Sequence, residues 1–238
     1  KIMKLFLTSF LCLILIAAHS QTVDEIIQKH AATMGGLDAM NKVSSFKITG
    51  TVTAQGNELP ITTQVINGKA SRNEVEVMGQ YIITVYDNGK GWTINPFTGA
   101  SEATDITGTQ LADYKSQASL ASNLADYKNR GHQLESVGQE DVDGIKCFKL
   151  KLTTKDDSKI TYYFINATDY VLVKAATKRD MQGEEVDAET FYSDLKDFNG
   201  IKYFMTRIQK VNGEVFSEMH VDKFELNVPV DEAIFKKQ

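Results

Sequence analysis

Histidine, cysteine and paired carboxylates are the side chains most often used for catalysis and metal binding, and this sequence spaces them poorly for either task. Beyond the first twenty residues the histidines are His30, His132 and His220. They are too far apart for a zinc-binding spacing, and no H-E-x-x-H pattern occurs. Cys147 has neither a neighbouring histidine nor a C-x-x-C partner, which favours a small buried side chain over a nucleophile. We therefore expect no metal site.

The acidic pairs and glycine motifs also lack a catalytic pattern. Glu140-Asp141, Asp156-Asp157 and Glu184-Glu185 fall at predicted turns or strand ends, where charge keeps sheet edges soluble. Gly89-Lys90-Gly91 is a hairpin turn and not a phosphate loop, and no G-x-S-x-G elbow is present. We expect no catalytic residue, no cofactor and no enzymatic activity. A paired-carboxylate hydrolase is the minor alternative.

The first twenty residues predict export. Lys1 and Lys4 form a short basic region, Leu5 to Ala18 is apolar except for Thr8 and Ser9, and the small-residue box Ala18-His19-Ser20 resembles a cleavage site. The apolar run is short for a transmembrane helix. We predict a signal peptide at residues 1–20, cleaved after Ser20, and a periplasmic domain at residues 21–238.

Charge excludes two classes of partner. The chain has a net charge of −5, and loss of Lys1 and Lys4 leaves 24 basic and 31 acidic residues, a net charge of −7. A negative protein without a basic tract is a poor candidate for binding nucleic acid or anionic membranes. The mature chain keeps one cysteine, so an intramolecular disulfide is impossible and stability must come from a core.

Two helices are predicted at the start of the mature domain. Thr22 and Glu25 form a capping box, and the apolar residues that follow recur at helical spacing until Gly35-Gly36 ends the helix. His30 lies within that apolar stripe, so we interpret it as a packed histidine and not as a ligand. Leu37 to Val43 is predicted to add a short second helix.

From Ser45 onward the hydrophobic period changes to two, which predicts strands. Short polar turns separate them, as in an antiparallel meander. Nearly a dozen sequential strands exceed what one open sheet holds without curling, so a single-domain barrel or half-barrel follows. The predicted strands are 45–55, 58–67, 70–77, 80–87, 91–95, 133–140, 147–154, 159–166, 171–179, 184–194, 202–210 and 214–227.

A helix is predicted to interrupt the strands at Gly108 to Lys128. Its apolar stripe is mostly alanine, which predicts looser packing than that of the first helix. A loosely held helix can move, so we interpret it as a lid. Whether large apolar side chains fill the core or line an open cavity beneath it stays undecided at this point.

Several segments resemble the LolA/LolB superfamily of periplasmic lipoprotein carriers, and more closely the lipoprotein-sorting-type proteins of Bacteroidota. The resemblance spans the mature chain. The most specific segment is the hairpin with the single tryptophan, Asp87-Asn88-Gly89-Lys90-Gly91-Trp92-Thr93-Ile94-Asn95-Pro96-Phe97. It also includes Val23-Asp24-Glu25-Ile26-Ile27, Phe46-Lys47-Ile48-Thr49-Gly50, Asn199-Gly200-Ile201-Lys202-Tyr203 and Glu225-Leu226-Asn227-Val228-Pro229-Val230-Asp231.

The resemblance implies a mainly β fold, an unclosed antiparallel β-barrel that wraps an N-terminal helix, with an inserted helical lid. It implies a carrier that holds the acyl chains of lipoproteins, or other lipids, for transfer toward the outer membrane. Its expected partners are an inner-membrane releasing complex and an outer-membrane acceptor, and the protein is expected to be a monomer. Related carriers have an arginine-proline segment implicated in gating. This chain has Gly68-Lys69-Ala70-Ser71-Arg72 without the proline, so Arg72 or Lys69 is a hypothetical gate.

The candidate binding site is a hydrophobic cavity under the lid. Leu111, Tyr114, Leu120 and Leu124 are expected in the lid. The side chains expected to line the cavity are Phe46, Ile48, Ile83, Trp92, Ile94, Phe148, Leu150, Tyr162 and Phe164. A sensor or protein-binding module built on the same half-barrel, without transport, is the competing interpretation.

Overall fold

The computed structural model describes residues 21–99, 102–181 and 183–237. The predicted signal peptide and its cleavage site lie outside these residues. In the described part of the chain, the helices are all too short or too polar to cross a membrane.

Over the described residues the fold is mainly β, with three α-helices. The helices are α1 (Val23–Thr33), α2 (Leu37–Lys42) and α3 (Gly108–Gln117). The strands are β1 (Ser45–Ala54), β2 (Asn57–Ile66), β3 (Ala70–Val77), β4 (Gln80–Asp87), β5 (Lys90–Ile94), β6 (Thr104–Ile106), β7 (Gln133–Val142), β8 (Ile145–Thr153), β9 (Ile160–Asn166), β10 (Leu172–Met181), β11 (Glu184–Phe198), β12 (Ile201–Val211) and β13 (Glu214–Leu226). Short 3₁₀ turns occur at Pro96–Thr98 and Glu232–Phe235.

All thirteen strands belong to one antiparallel sheet. It consists of two meanders, β1 to β6 and β7 to β13, which join where β1 pairs with β13. The two edges are β6 and β7, and they do not pair with each other. The sheet is therefore an unclosed half-barrel, as expected.

Most strand predictions are confirmed to within a few residues, and β3 and β4 have the predicted bounds. The prediction missed β6, because a strand of three residues is too short to show a period of two. It also ended β11 too early, at Asp194, where the backbone takes a left-handed φ of 52° and the strand then continues to Phe198.

Helix α1 packs against the inner face of the half-barrel, over strands β8 and β9. The predicted capping box is present, with Thr22 Oγ1 accepting from the Glu25 backbone N–H and Glu25 Oε2 accepting from the Thr22 N–H. Ile26 and Ile27 are buried against Leu150 and Ile165 of the sheet. Burying such side chains contributes about 1.5–3 kcal/mol each, so apolar contact holds this helix in place.

The inserted helix is shorter than predicted: α3 ends at Gln117 and not near Lys128. The turn between β2 and β3 binds the chain at this point. The Gly68 N–H donates to the Ala118 carbonyl at 2.7 Å, and the Leu120 N–H donates to Asn67 Oδ1 at 2.9 Å. These bonds use backbone groups that a continuing helix needs for itself. Residues 119–131 therefore follow a path of turns.

Residues 107–131, here called the cap segment, connect one edge of the sheet to the other. Because β6 and β7 lie at opposite ends of the strand order, this connection must cross the open side of the half-barrel. Helix α3 lies against β3, β4 and β5. The tight contact at Gly91, where an added Cβ would lie 2.8 Å from Leu111 Cδ1, fixes how closely the helix approaches.

Candidate functional site

A cavity of about 980 Å³ lies between the inner face of the half-barrel and the cap segment. Its volume is at the upper end of the range typical of small-molecule sites. The cap segment contributes Ala112, Asp113, Ser116 and Arg130, and the turn between β8 and β9 contributes residues 154–159. This enclosure makes the cavity the candidate binding site.

Strand register explains why the cavity floor is polar. One row of inward-facing neighbours crosses five strands, from Tyr163 on β9 to Ser217 on β13. The full row is Tyr163, Ala175, Thr190, Gln209 and Ser217, and all five line the cavity. Leu152, Met219 and Val52 add an apolar strip to the same wall. The floor therefore suits an amphiphilic ligand better than a purely apolar one.

None of the nine side chains expected to line the cavity borders this space. Register divides them between the two faces of the sheet. Phe46 lies opposite Val65, Val65 lies opposite Ser71, and Ser71 lies opposite Tyr86. This row of side chains faces inward. Four of the nine lie on this inner face: Phe46, Ile48, Phe148 and Leu150. The other five, Ile83, Trp92, Ile94, Tyr162 and Phe164, lie on the outer face.

The four inner side chains are packed into filled clusters below the cavity. Phe46 and Ile48 contact Val65, Val221 and Phe224. Phe148 and Leu150 pack against α1, and Phe148 also borders a smaller cavity of about 430 Å³ next to Tyr170. These residues hold the half-barrel together. Contact with a ligand stays a prediction for them.

The prediction placed Phe148 and Leu150 of β8 and Tyr162 and Phe164 of β9 around one cavity, but the two pairs lie on opposite faces of the sheet. Leu150 pairs with Tyr163, whereas Tyr162 and Phe164 pair with Lys151 and Lys149 on the outer face. Phe164 is 2% exposed in a cluster with Cys147, and the ammonium groups of Lys149 and Lys174 lie over its ring. Both strands alternate as predicted. Their relative register decides which residues meet.

On the outer face of the sheet, Trp92 is covered by residues 230–235, here called the C-terminal segment. Its indole N–H donates to the Phe235 carbonyl at 3.2 Å, and both side chains are buried together with Val85. Ile83 and Ile94 pack around them. Residues 230–235 therefore cover the side chains of β5 that were expected to contact a ligand.

The two hypothetical gate residues hold that same segment. Arg72 forms an ion pair with Glu74 at 2.7 Å, and its Nη1 donates to the Ile234 carbonyl at 2.9 Å. Lys69 forms an ion pair with Glu232 at 2.8 Å. Neither side chain borders the cavity, and a gating role stays a prediction for both.

The four predicted lid residues lie in two parts of the cap segment, two in α3 and two after it. Leu111 and Tyr114 belong to α3, which has no fully buried residue. Leu120 packs against the cluster around Phe46, and Leu124 is fully buried against α1. The cap segment is therefore anchored at residues 118–125, where Ala118, Ala121 and Ala125 are buried, and α3 is its less buried part. The alanine stripe predicted loose packing for the whole segment, but its alanines lie in the anchored part.

Two ion pairs fasten α3 to the opposite side of the half-barrel. Asp113 pairs with Lys159 at 2.6 Å, and Lys115 pairs with Asp156 at 2.8 Å. The hydrogen bond from Lys115 lowers the pKa of Asp156. Sequence reasoning gave the Asp156-Asp157 pair a solubility role only. Its position in the turn between β8 and β9 makes it part of the cavity mouth.

Sequence reasoning also missed Arg207, Tyr163 and Tyr192, three polar side chains on the cavity wall. Arg207 lies opposite Tyr192 on β11 and Met219 on β13. Its N–H at Nη2 donates to the Tyr203 hydroxyl, and its guanidinium lies 4.9 Å from the centre of that ring. The sequence signal that could have revealed Arg207 is its spacing. It lies two residues after Met205 and four after Tyr203, so it shares their face of β12.

The histidines and the cysteine do not form a reactive site. His30 is 3% exposed and hydrogen-bonded through Nδ1 to the Tyr170 carbonyl at 2.9 Å, and burial lowers its pKa. Burial raises the pKa of the Cys147 thiol, which makes it a poor nucleophile. Within residues 21–99, 102–181 and 183–237, no group of three or more His, Cys, Asp or Glu side chains could hold a metal.

Exposed apolar side chains lie at one end of the strands. The turns β3–β4, β8–β9, β10–β11 and β12–β13 all lie at the end of the strands toward which the cavity extends. Six of the nine exposed large apolar side chains of the described residues lie in or next to these turns: Met78, Tyr81, Ile160, Met181, Val215 and Phe216. We call these six residues the apolar rim.

No protein-family model and no curated protein matches this sequence, but several solved structures do. A LolA superfamily protein, NE2245 from Nitrosomonas europaea, is 16% identical and superposes with a TM-score of 0.62 over 92% of this chain and 99% of its own. An outer membrane lipoprotein-sorting protein domain from Vibrio parahaemolyticus is 10% identical, with a TM-score of 0.58 over 90% of this chain and 95% of its own.

A DUF1329 family protein from Desulfovibrio piger is 13% identical, with a TM-score of 0.61 over 91% of this chain and 98% of its own. At these identities the likeness establishes the fold alone. The chain has a LolA-like fold, as the sequence resemblance implied.

Proposed function

We propose that this protein is an exported, periplasmic carrier that holds a lipid or the acylated end of a lipoprotein in the half-barrel cavity. The observation that supports this most is the cavity of about 980 Å³ between the sheet and the cap segment. It lies where the strand order leaves the half-barrel open, so in this proposal the ligand lies on the side that the cap segment crosses.

The energetics of acyl chains favour a carrier with a movable lid. Burying about fourteen methylenes at roughly 0.8 kcal/mol each is worth on the order of 11 kcal/mol, enough to hold a lipid in solution. A membrane offers the same gain, so transfer is near balance and a small change in the lid can decide its direction. Helix α3, with no fully buried residue and two ion pairs, fits that role.

The apolar rim supports loading at a lipid-bearing surface. Its six side chains are exposed and lie at hairpin turns on the same end of the strands, where they offer apolar contact to a lipid surface. Within the rim, Ile160 lies between Lys159 and Thr161, which both line the cavity. In this proposal the ligand passes between the rim and α3, from an inner-membrane releasing complex to an outer-membrane acceptor.

The sensor or protein-binding alternative has one observation in its favour. The large apolar side chains expected to contact acyl chains are packed into filled clusters, and the cavity wall is mostly polar. A module that recognises a polypeptide or a polar ligand would need no larger apolar space. Analysis of the bound molecule separates these two functions.

The test is native mass spectrometry of residues 21–238 purified from periplasm without detergent, followed by organic extraction. We expect a co-purifying lipid or acylated peptide. The matched variant is Ala175→Trp, which fills the cavity floor beside Tyr163 and Thr190. If its thermal stability is unchanged, it should lose the bound mass. A wild-type protein that is empty and takes up no added lipopeptide contradicts the carrier proposal.

A further inference from the structure

The cavity wall contains a cation without a counter-ion. A guanidinium has five N–H donors, and one of those of Arg207, on Nη2, has a partner, the Tyr203 hydroxyl. The buried Nε has no hydrogen-bond partner among the described residues, and no carboxylate among them forms an ion pair with Arg207. An unpaired charge in a partly desolvated site is unfavourable, so such groups usually bind something.

The guanidinium is also held in position. It lies over the ring of Tyr203, and that ring stacks on Phe224 with centroids 4.2 Å apart and planes at 10°. Tyr192 and Met219 flank it on the neighbouring strands. A cation fixed by an aromatic stack loses little entropy when an anion binds.

Two tyrosine hydroxyls add donors to the same wall. Tyr163 and Tyr192 both line the cavity, and burial raises the pKa of each phenol, so both stay protonated at neutral pH. Neither hydroxyl has a hydrogen-bond partner among residues 21–99, 102–181 and 183–237. A bound oxyanion would satisfy donors that the protein leaves open.

The charge of the cavity differs in sign from that of the protein. Its wall has six lysine and arginine side chains and four aspartates, a surplus of two positive charges in a chain of net charge −5. Each aspartate is already engaged, by Lys115, Lys159, Arg130 or Thr154. The positive surplus is therefore available to a ligand.

We propose that Arg207, with the hydroxyls of Tyr163 and Tyr192, binds the carboxylate or phosphate end of an amphiphile whose apolar part lies along Leu152, Met219 and Val52. This inference rests on the proposed function, because it assigns the ligand's polar end within the same cavity. It restricts the ligand class to anionic amphiphiles, such as fatty acids or lipids with an acidic headgroup.

The experiment compares four probes by titration calorimetry: dodecanoate, dodecyl phosphate, uncharged dodecyl maltoside and inorganic phosphate. We expect both anionic amphiphiles to bind at least tenfold more tightly than dodecyl maltoside, and inorganic phosphate to bind far more weakly. Equal binding of dodecyl maltoside overturns the anion site and leaves the carrier proposal intact. Failure of all three amphiphiles contradicts the carrier proposal itself. Inorganic phosphate binding as tightly as dodecyl phosphate overturns the assignment to an amphiphile.

The matched variants are Arg207→Met and Arg179→Met. Each variant removes one arginine of the cavity wall. Arg179→Met is the control, because Arg179 is exposed whereas Arg207 is half-buried. We expect Arg207→Met to weaken dodecanoate binding about 10- to 100-fold, the range for a lost charge-assisted hydrogen bond, and to leave dodecyl maltoside binding unchanged. Its melting temperature should not fall, because it removes an unpaired charge. A purely structural role for Arg207 predicts the opposite: lower stability, and equal loss for charged and uncharged probes.

Discussion

Lys159 Nζ lies 2.6 Å from Asp113 Oδ1, which joins the start of β9 to helix α3 across the mouth of the cavity. The two partners belong to opposite halves of the sheet, because α3 rests on β3 to β5 while β9 lies near the other edge. This contact, together with the pair Lys115–Asp156, fastens the more loosely held part of the cap segment.

Removing this ion pair should loosen α3 without unfolding the protein. We expect Lys159→Met to increase amide hydrogen exchange two- to fivefold in residues 111–117, because partly exposed pairs contribute about 0.2–1 kcal/mol. The matched control is Lys155→Met, since Lys155 lies in the same turn without an ion-pair partner among the described residues. Equal exchange in both variants contradicts a fastening role.

Gly91 and Leu111 set how closely α3 approaches the sheet. A Cβ on residue 91 would lie 2.8 Å from Leu111 Cδ1, so Gly91→Ala should displace the helix at a cost of about 1 kcal/mol. In a Leu111→Ala background the same substitution should cost much less, because the obstructing methyl is gone. Urea unfolding of the four proteins measures this coupling, and strictly additive effects would disprove it.

Asn67 connects the first helices, the sheet and the cap segment. Its Nδ2 donates to the carbonyls of Met40 and Val43, and its Oδ1 accepts from the Leu120 N–H. Asn67→Ala should cost about 2–4 kcal/mol of unfolding free energy, since each lost bond contributes about 0.5–1.5 kcal/mol.

Asn67→Asp separates the two functions of this side chain. It keeps the acceptor for Leu120 but loses both donors, so hydrogen exchange at the Leu120 amide should stay slower than in Asn67→Ala. An equally fast exchange in both variants would mean that Asn67 does not hold the cap segment.

Trp92 should report on the C-terminal segment and not on the ligand. Phe235→Ala should shift its fluorescence to longer wavelength and cost about 3–5 kcal/mol, because the indole loses its cover. Glu232→Gln, which removes an exposed ion pair in the same segment, is the control and should change neither. Adding dodecanoate should leave the emission of the wild-type protein unchanged. A large ligand-induced shift contradicts the outer-face placement.

His30 should make stability fall at mildly acidic pH. Burial lowers its pKa in the folded state below the ordinary value of 6.5, so the unfolded chain takes up a proton that the folded protein excludes. The free energy of unfolding should therefore decline as pH falls below about 6.5, by at most about 1.4 kcal/mol per pH unit. His30→Gln should flatten this decline between pH 6.5 and 5.

His132→Gln is the comparison, because burial also lowers the pKa of His132 but its side chain is more exposed. Its effect on the slope should be smaller. Urea unfolding at several pH values measures both, and an unchanged slope in His30→Gln would rule out this histidine as the source.

Local sequence patterns were enough to predict most of the helices and strands. The alternation in β3 and β4, the capping box at Thr22 and the Gly35-Gly36 stop each depend on neighbours within a few residues, so they can be interpreted from sequence alone. The number of strands and the short turns between them were enough to predict a curled antiparallel sheet around the first helix.

The candidate site depended on relations that local patterns do not contain. Alternation gives two faces to every strand but does not say which faces coincide, and one residue of register moved Tyr162 and Phe164 from the expected cavity to the outer surface. The early end of α3 came from Asn67 and Gly68, about fifty residues away along the chain. The C-terminal cover over Trp92 is likewise a long-range contact.

The sequence by itself therefore determined most of the elements, their order and the curling of the sheet, because hydrophobic period and turn chemistry act over short distances. Only the tertiary structure decided that the apolar side chains fill clusters while Arg207, Tyr163 and Tyr192 face the open space. That outcome follows from strand register and from the path of the cap segment, which are set by packing among residues far apart in the chain.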